Sequence, residues 1–171
     1  MTWIASIEKT ASVSRNVQIE DRIRGHDAPI FQRFIAQAPE YPFKKALHDI
    51  SSDHAYTSTQ STLVLNTYYF LDTISNKFND TTVQEKASTL EKCLDELTDF
   101  IAEHFTVYGP VLHGDVLRFC MEPQWNVDRG SNPTHEESIK YTALGRRLAQ
   151  IARATEVAYE DLLRTGHQRL L

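Results

Sequence analysis

Cysteine is nearly missing from this chain: Cys93 and Cys120 are the two among 171 residues. Two thiols cannot build a disulfide framework, and neither sits in a C-x-x-C pair that would seat zinc, so both are expected as reduced, buried side chains. Glycine and proline are scarce at six each. That excludes a many-stranded sandwich with its frequent turns and suits long helices. Positive charge is in deficit, with 18 Lys and Arg against 23 Asp and Glu and a net charge of -5. A dedicated nucleic-acid binder needs the opposite balance, because it must neutralise phosphates. No run approaches the roughly 18 apolar residues of a membrane span, and the opening MTWIASIEKTASVSRN lacks the apolar core of a secretory signal. These absences predict a cytoplasmic protein with no membrane segment. Several enzyme signatures are missing too: a phosphate-binding glycine loop, GxSxG, HExxH and the paired ExxH of di-iron bundles.

What is present is helical periodicity. Val83, Ala87, Leu90, Leu94, Leu97, Ile101 and Phe105 recur at steps of three and four, which predicts one amphipathic helix of about six turns over 82–105. Thr82 and Glu85 have the spacing of a capping box at its start. A second helix over 59–78 is apolar on nearly every side (Leu63, Val64, Leu65, Tyr68, Tyr69, Phe70, Leu71, Ile74, Phe78), which predicts a central position. The last helix is expected from Pro133-Thr134, with Glu137 completing a box, to about Thr165. Shorter helices are expected after Pro29 and from Pro110 to about Met121, with 46–59 a loop or short helix. No strand pair stands out. The reading is an all-α single domain of five to seven helices, globin-like or an irregular bundle, with residues 1–28 as a helical N-terminal extension and 29–171 as the domain. An apolar stripe left exposed on the last helix would favour a homodimer.

The titratable residues offer several candidates. His48-Asp49 and Asp53-His54 could join in one polar cluster, but a metal site needs three or four convergent ligands and no further partner is visible. His113 reads as a surface histidine. His104 sits on the dry edge of the long helix, one turn from its end, with Phe100 four positions before it. It could ligate an iron porphyrin from one side, or serve as a helix-terminal cation facing the carbonyl end of the dipole. Arg129 and His135, six apart, resemble the Arg-to-His spacing of the helical HEPN ribonucleases, which would make them a phosphate-positioning and proton-moving pair.

Phe31, Phe34, Pro39-Glu40 and Phe43 resemble the globin segment in which a short helix ends at Pro-Glu and a phenylalanine wedges beside the haem. Gln60 and Val64, four apart, look like the distal pair of that family. Two registers compete for the proximal side. In one, Leu97, Phe100 and His104 with Tyr108-Gly109 look like the haem-ligating helix. In the other, Phe105, Tyr108, Gly109 and Leu112 resemble the start of the next helix, which puts Cys93 or Leu94 at the ligand position and makes a haemless module. The first resemblance implies gas binding or sensing, with haem on His104 in a pocket of Gln60, Val64, Phe43 and Tyr68. The second implies a non-enzymatic regulatory or interaction domain for an apolar ligand or a protein partner.

Overall fold

The computed structural model describes residues 2–114 and 116–171, with side chains from residue 17 onward. Five helices carry the fold: α1 (Thr2–Gln37), α2 (Glu40–Ser52), α3 (Ser58–Asp72), α4 (Thr81–His104) and α5 (His135–Leu170). Three short strands, β1 (Ala55–Thr57), β2 (Phe105–Val107) and β3 (Arg118–Met121), form an antiparallel sheet in the order β1-β3-β2. Among the described residues this is a mostly helical single domain, as the sequence predicts, with a small sheet that its pattern does not announce.

α1 does not restart at Pro29 but runs through it. A proline inside a helix loses one hydrogen bond and presses its ring on the carbonyl four residues back. That residue is Gly25, with open space where a Cβ would stand, so the backbone has room to adjust. Asp27, Ile30, Phe31 and Phe34 line the buried face of the last third of α1, whereas Val17 to Arg22 are exposed. The fully buried Asp27 carboxylate accepts the backbone N–H groups of Asn79 (2.9 Å) and Asp80 (2.7 Å), which pins α1 to the turn before α4. Two amide donors compensate its loss of water.

α4 carries the expected stripe, with Val83, Ala87, Leu90, Leu94, Leu97 and Phe100 buried. Its cap is Asp80 rather than the Thr82 box, with the carboxylate accepting from Val83 N at 3.0 Å. α5 begins at the predicted Thr134–Glu137 capping box and continues past Gly166 to Leu170. Gly166 is needed where α1 crosses, since a Cβ there would lie 2.2 Å from the Phe31 ring. The most extensive helix pairing joins α4 and α5. Between them and α2, the fully buried Tyr159 stacks on Phe43 (ring centroids 4.5 Å apart) and donates its hydroxyl to Ala38 O at 2.7 Å.

Two further expectations are corrected. α3 stops at Asp72 and gives way to a 3-10 turn at Ile74–Asn76 instead of continuing to Phe78. The helix expected from Pro110 is instead the β2–β3 connection and β3. Gly109 and Gly114 take φ of +80° and +76°, conformations that glycine reaches without a steric penalty, and Leu112 bridges back to Val116. No described helix is long and apolar enough to cross a membrane.

Candidate functional site

Where α2, β1, α3 and α4 meet, they leave a small cavity of about 130 Å³. Ile50 closes it from α2 and Tyr56 from β1, while Ser61, Val64 and Leu65 come from α3 and Thr98, Ile101 and Ala102 from α4. Successive turns of α3 and α4 supply these residues, so the hydrophobic stripes that build the core also build the walls. Tyr56 is held by stacking on Phe119 (5.0 Å, 12° between planes) and by contact with Phe105 (5.3 Å). Burial pushes its hydroxyl pKa up to about 12, against an opposing hydrogen bond with Ser61. Thr98 donates to Asp95 O at 2.9 Å, which leaves its lone pairs as acceptors. The lining is apolar with a few hydroxyls, as small-molecule sites generally are.

The end of the sheet beside this cavity is polar. His54 and Glu122 have φ of +48° and +34°, the positive values found outside glycine among the described residues. Non-glycine residues seldom adopt this region, which is enriched at functional sites. Strand register brings the two together, because His54 O accepts Met121 N–H and Glu122 N–H donates to His104 O, each at 3.0 Å. His54 Nδ1 lies 2.8 Å from the Tyr141 hydroxyl, and its ring rests over Gly145, where a Cβ would come within 3.0 Å of it. Burial holds the imidazole pKa below its ordinary value, with Asp128 and Asp53 opposing. On the other side, His104 Nδ1 is 3.2 Å from Glu122 Oε1, and Glu122 Oε2 accepts from Gln124 at 2.6 Å.

The residues singled out by the globin resemblance find protein partners here. His104 is engaged by Glu122, with Glu103 3.7 Å from its Nε2 and the Phe100 ring at 4.6 Å. Gln60 caps α3 by accepting from Thr57 and donates to Asp49 at 2.6 Å. Tyr68 donates to Asp95 at 3.1 Å, and Phe43 lies fully buried against Tyr159. Val64 is the one that lines the cavity. A porphyrin is several times larger than this 130 Å³ space, so haem does not fit the cavity, and His104, Gln60, Phe43 and Tyr68 are not part of its lining.

The other candidates also separate. Arg129 lies over Tyr108 (6.0 Å to the ring centroid) and reaches Asp53 O at 3.5 Å, while His135 is exposed at the start of α5 and shares no hydrogen bond with it among the described residues. Asp49 binds Lys45 and Gln60, whereas His54 turns to Tyr141, so the two His-Asp pairs form no joint cluster. His113 is exposed. Among the described residues no three His, Cys, Asp or Glu side chains converge to hold a metal ion. Both cysteines are free thiols whose pKa values are raised by burial. Tyr56, Glu122 and Tyr141 had no motif to announce them: each matters through strand register or a contact distant in sequence. No protein family, curated protein or solved structure matches the chain.

Proposed function

We propose that this protein is a non-enzymatic helical regulatory domain whose α2–α3–α4 cavity holds a small, largely apolar molecule carrying one polar group. The observation that carries the reading is the cavity itself, with Val64, Ile50, Leu65 and Ile101 forming apolar walls and Ser61 and Thr98 offering hydroxyls. An engineered apolar cavity of about 150 Å³ in another protein binds benzene, so this volume suits a single ring. A ligand burying on the order of 150 Å² gains about 4 kcal/mol from desolvation at about 25 cal/mol per Å². Association costs of about 4 kcal/mol or more offset most of that and one hydrogen bond restores about 0.5–1.5 kcal/mol, so binding is weak, with Kd no tighter than the millimolar range. Four elements touch the guest, so its binding stiffens their junction, the physical basis for a regulatory readout.

The test is a phenol titration followed by amide chemical shifts and thermal unfolding. Shifts confined to cavity residues, with a rising Tm, are expected for the native chain, and Thr98→Phe, which fills the space, should abolish both. Phenol that leaves these signals unmoved at its solubility limit refutes the reading. Hemin serves as the rival probe: an axial-imidazole absorption band lost in His104→Ala would restore the globin reading in its place.

A further inference from the structure

The lining of the α2–α3–α4 cavity has a polarity of its own. None of its residues is charged, and Tyr56, Ser61 and Thr98 supply its three polar side chains. An ionised guest would lose its water there without meeting a counter-charge, so the lining favours neutral molecules. Each hydroxyl carries one proton and two lone pairs. Thr98 commits its proton by donating to Asp95 O at 2.9 Å, the back-bond common for threonine in helices. Burial raises the Tyr56 pKa and the bond with Ser61 works against it, as a bond donated to the tyrosine oxygen does. Ser61 is thus the donor of that pair. What remains for a guest is the Thr98 lone pairs and the Tyr56 proton.

We propose, building on the reading that this cavity holds a small ring, that the guest is an uncharged hydroxyl compound of the phenol class and that Thr98 selects it by accepting its proton. A hydroxyl is the group that answers both remaining functions, since it can give a proton to Thr98 and a lone pair to Tyr56. An aldehyde or an ether offers lone pairs alone, and a methyl group offers neither. Thr98 could serve an acceptor only by releasing Asp95 O, whereas the bond it already makes polarises its oxygen and strengthens the next one it receives. The Thr98 hydroxyl is not required to complete α4. The helix runs unbroken past it, and Asp95 O lies four residues before the Asp99 N–H that the helical ladder supplies.

Titrations of phenol and of toluene into the full chain, followed by amide chemical shifts, test this. Toluene has nearly the outline of phenol, with a methyl group in place of the hydroxyl. Thr98→Val keeps the shape of the side chain and removes the acceptor. Phenol should then bind about 2- to 12-fold more weakly, the equivalent of one hydrogen bond of about 0.5–1.5 kcal/mol, while toluene keeps its affinity. Thr98→Ser, which retains the oxygen, should keep the native ratio of the two affinities. If Thr98→Val loses its helical circular dichroism, Tyr56→Phe decides the matter: it preserves the stack on Phe119 and should weaken phenol against toluene in the same way. Toluene that binds while the deciding variant leaves the phenol-to-toluene ratio unchanged overturns the selection and leaves the cavity reading standing. A native chain that takes up neither compound removes both.

Discussion

His54 Nδ1 and the Tyr141 hydroxyl, 87 residues apart in sequence, meet at 2.8 Å and join the turn after α2 to the beginning of α5. Burial favours the neutral imidazole here, so the folded-state pKa is lower than the ordinary 6.5. As pH falls below that value, the unfolded chain takes up this proton first. The stability contribution, complete above about pH 6.5, is therefore lost progressively as pH falls through the folded pKa. Urea denaturation between pH 7 and pH 5 should show a declining midpoint. His54→Asn, which tolerates positive φ, should flatten that decline. Tyr141→Phe should cost about 0.5–1.5 kcal/mol at neutral pH, the usual net worth of one hydrogen bond. A slope unchanged by His54→Asn would assign the pH dependence to other groups.

Gly166 and Phe31 set how closely α1 and α5 approach. A Cβ on Gly166 would lie 2.2 to 2.7 Å from three atoms of the Phe31 ring, which is itself fully buried. Replacing a helical glycine by alanine ordinarily gains up to about 1 kcal/mol. Here overpacking reverses the sign, and Gly166→Ala should destabilise by about 1–3 kcal/mol. Phe31→Leu in the same chain should recover part of that loss, because the added methyl gains the space the ring gives up. Chemical denaturation of the two single variants and the double variant measures the coupling, and strictly additive effects would contradict the contact.

Legibility in the sequence followed the length of each element. The stripe of α4 recurs over 24 residues, and the Thr134–Glu137 box marks the start of α5 by side-chain chemistry alone, so both could be read directly. The strands are three or four residues long, too short for alternation to compete with the helical pattern around them. Val111, Leu112, Val116 and Leu117 look like a helical face, yet Gly109 and Gly114 turn that segment back on itself. Pro29 reads locally as a helix start, yet α1 is continuous through it, with Asp27 buried on one side and Phe31 and Phe34 on the other. At the candidate site Val64 was readable through its position on α3. Tyr56 enters the cavity only because β1 pairs with a strand more than 60 residues away, and no local pattern encodes that.

Asp80 closes the opposite end of the molecule. Its carboxylate caps α4 through Val83 N–H and receives Arg169 Nε at 2.7 Å, which links α4 to the C-terminal turn of α5. Burial works to raise its pKa, but the Val83 bond and Arg169 outweigh it, and the value lies below the usual carboxylate range. The stability from this group is present above the unfolded value near 3.9 and is lost as pH falls through the folded one. Acid unfolding should therefore show a second decline below about pH 4, separate from the one owed to His54. Asp80→Ala should remove part of it and cost about 0.5–2 kcal/mol at pH 7, as the loss of a helix cap does. A cap variant as stable as the native chain at pH 7 would show that Asp80 contributes no net stability.

Tyr159 sets the alkaline limit. Its hydroxyl donates to Ala38 O from a fully buried position, and burial raises its pKa well above the ordinary 10. Burial raises Tyr56 and Tyr141 as well, each to about 12. An acid held protonated in the fold loses its proton first in the unfolded chain. The contribution of these tyrosines is thus complete below about pH 10 and is lost as pH rises through their folded values. Tyr159→Phe should lower stability by about 1–3 kcal/mol at neutral pH, because Ala38 O is left buried without its donor. Since phenylalanine cannot ionise, the same variant should lose less stability between pH 9 and pH 11 than the native chain. The two denaturation curves should converge across that interval, and parallel curves would mean that the Tyr159 hydroxyl titrates alike in the folded and unfolded states.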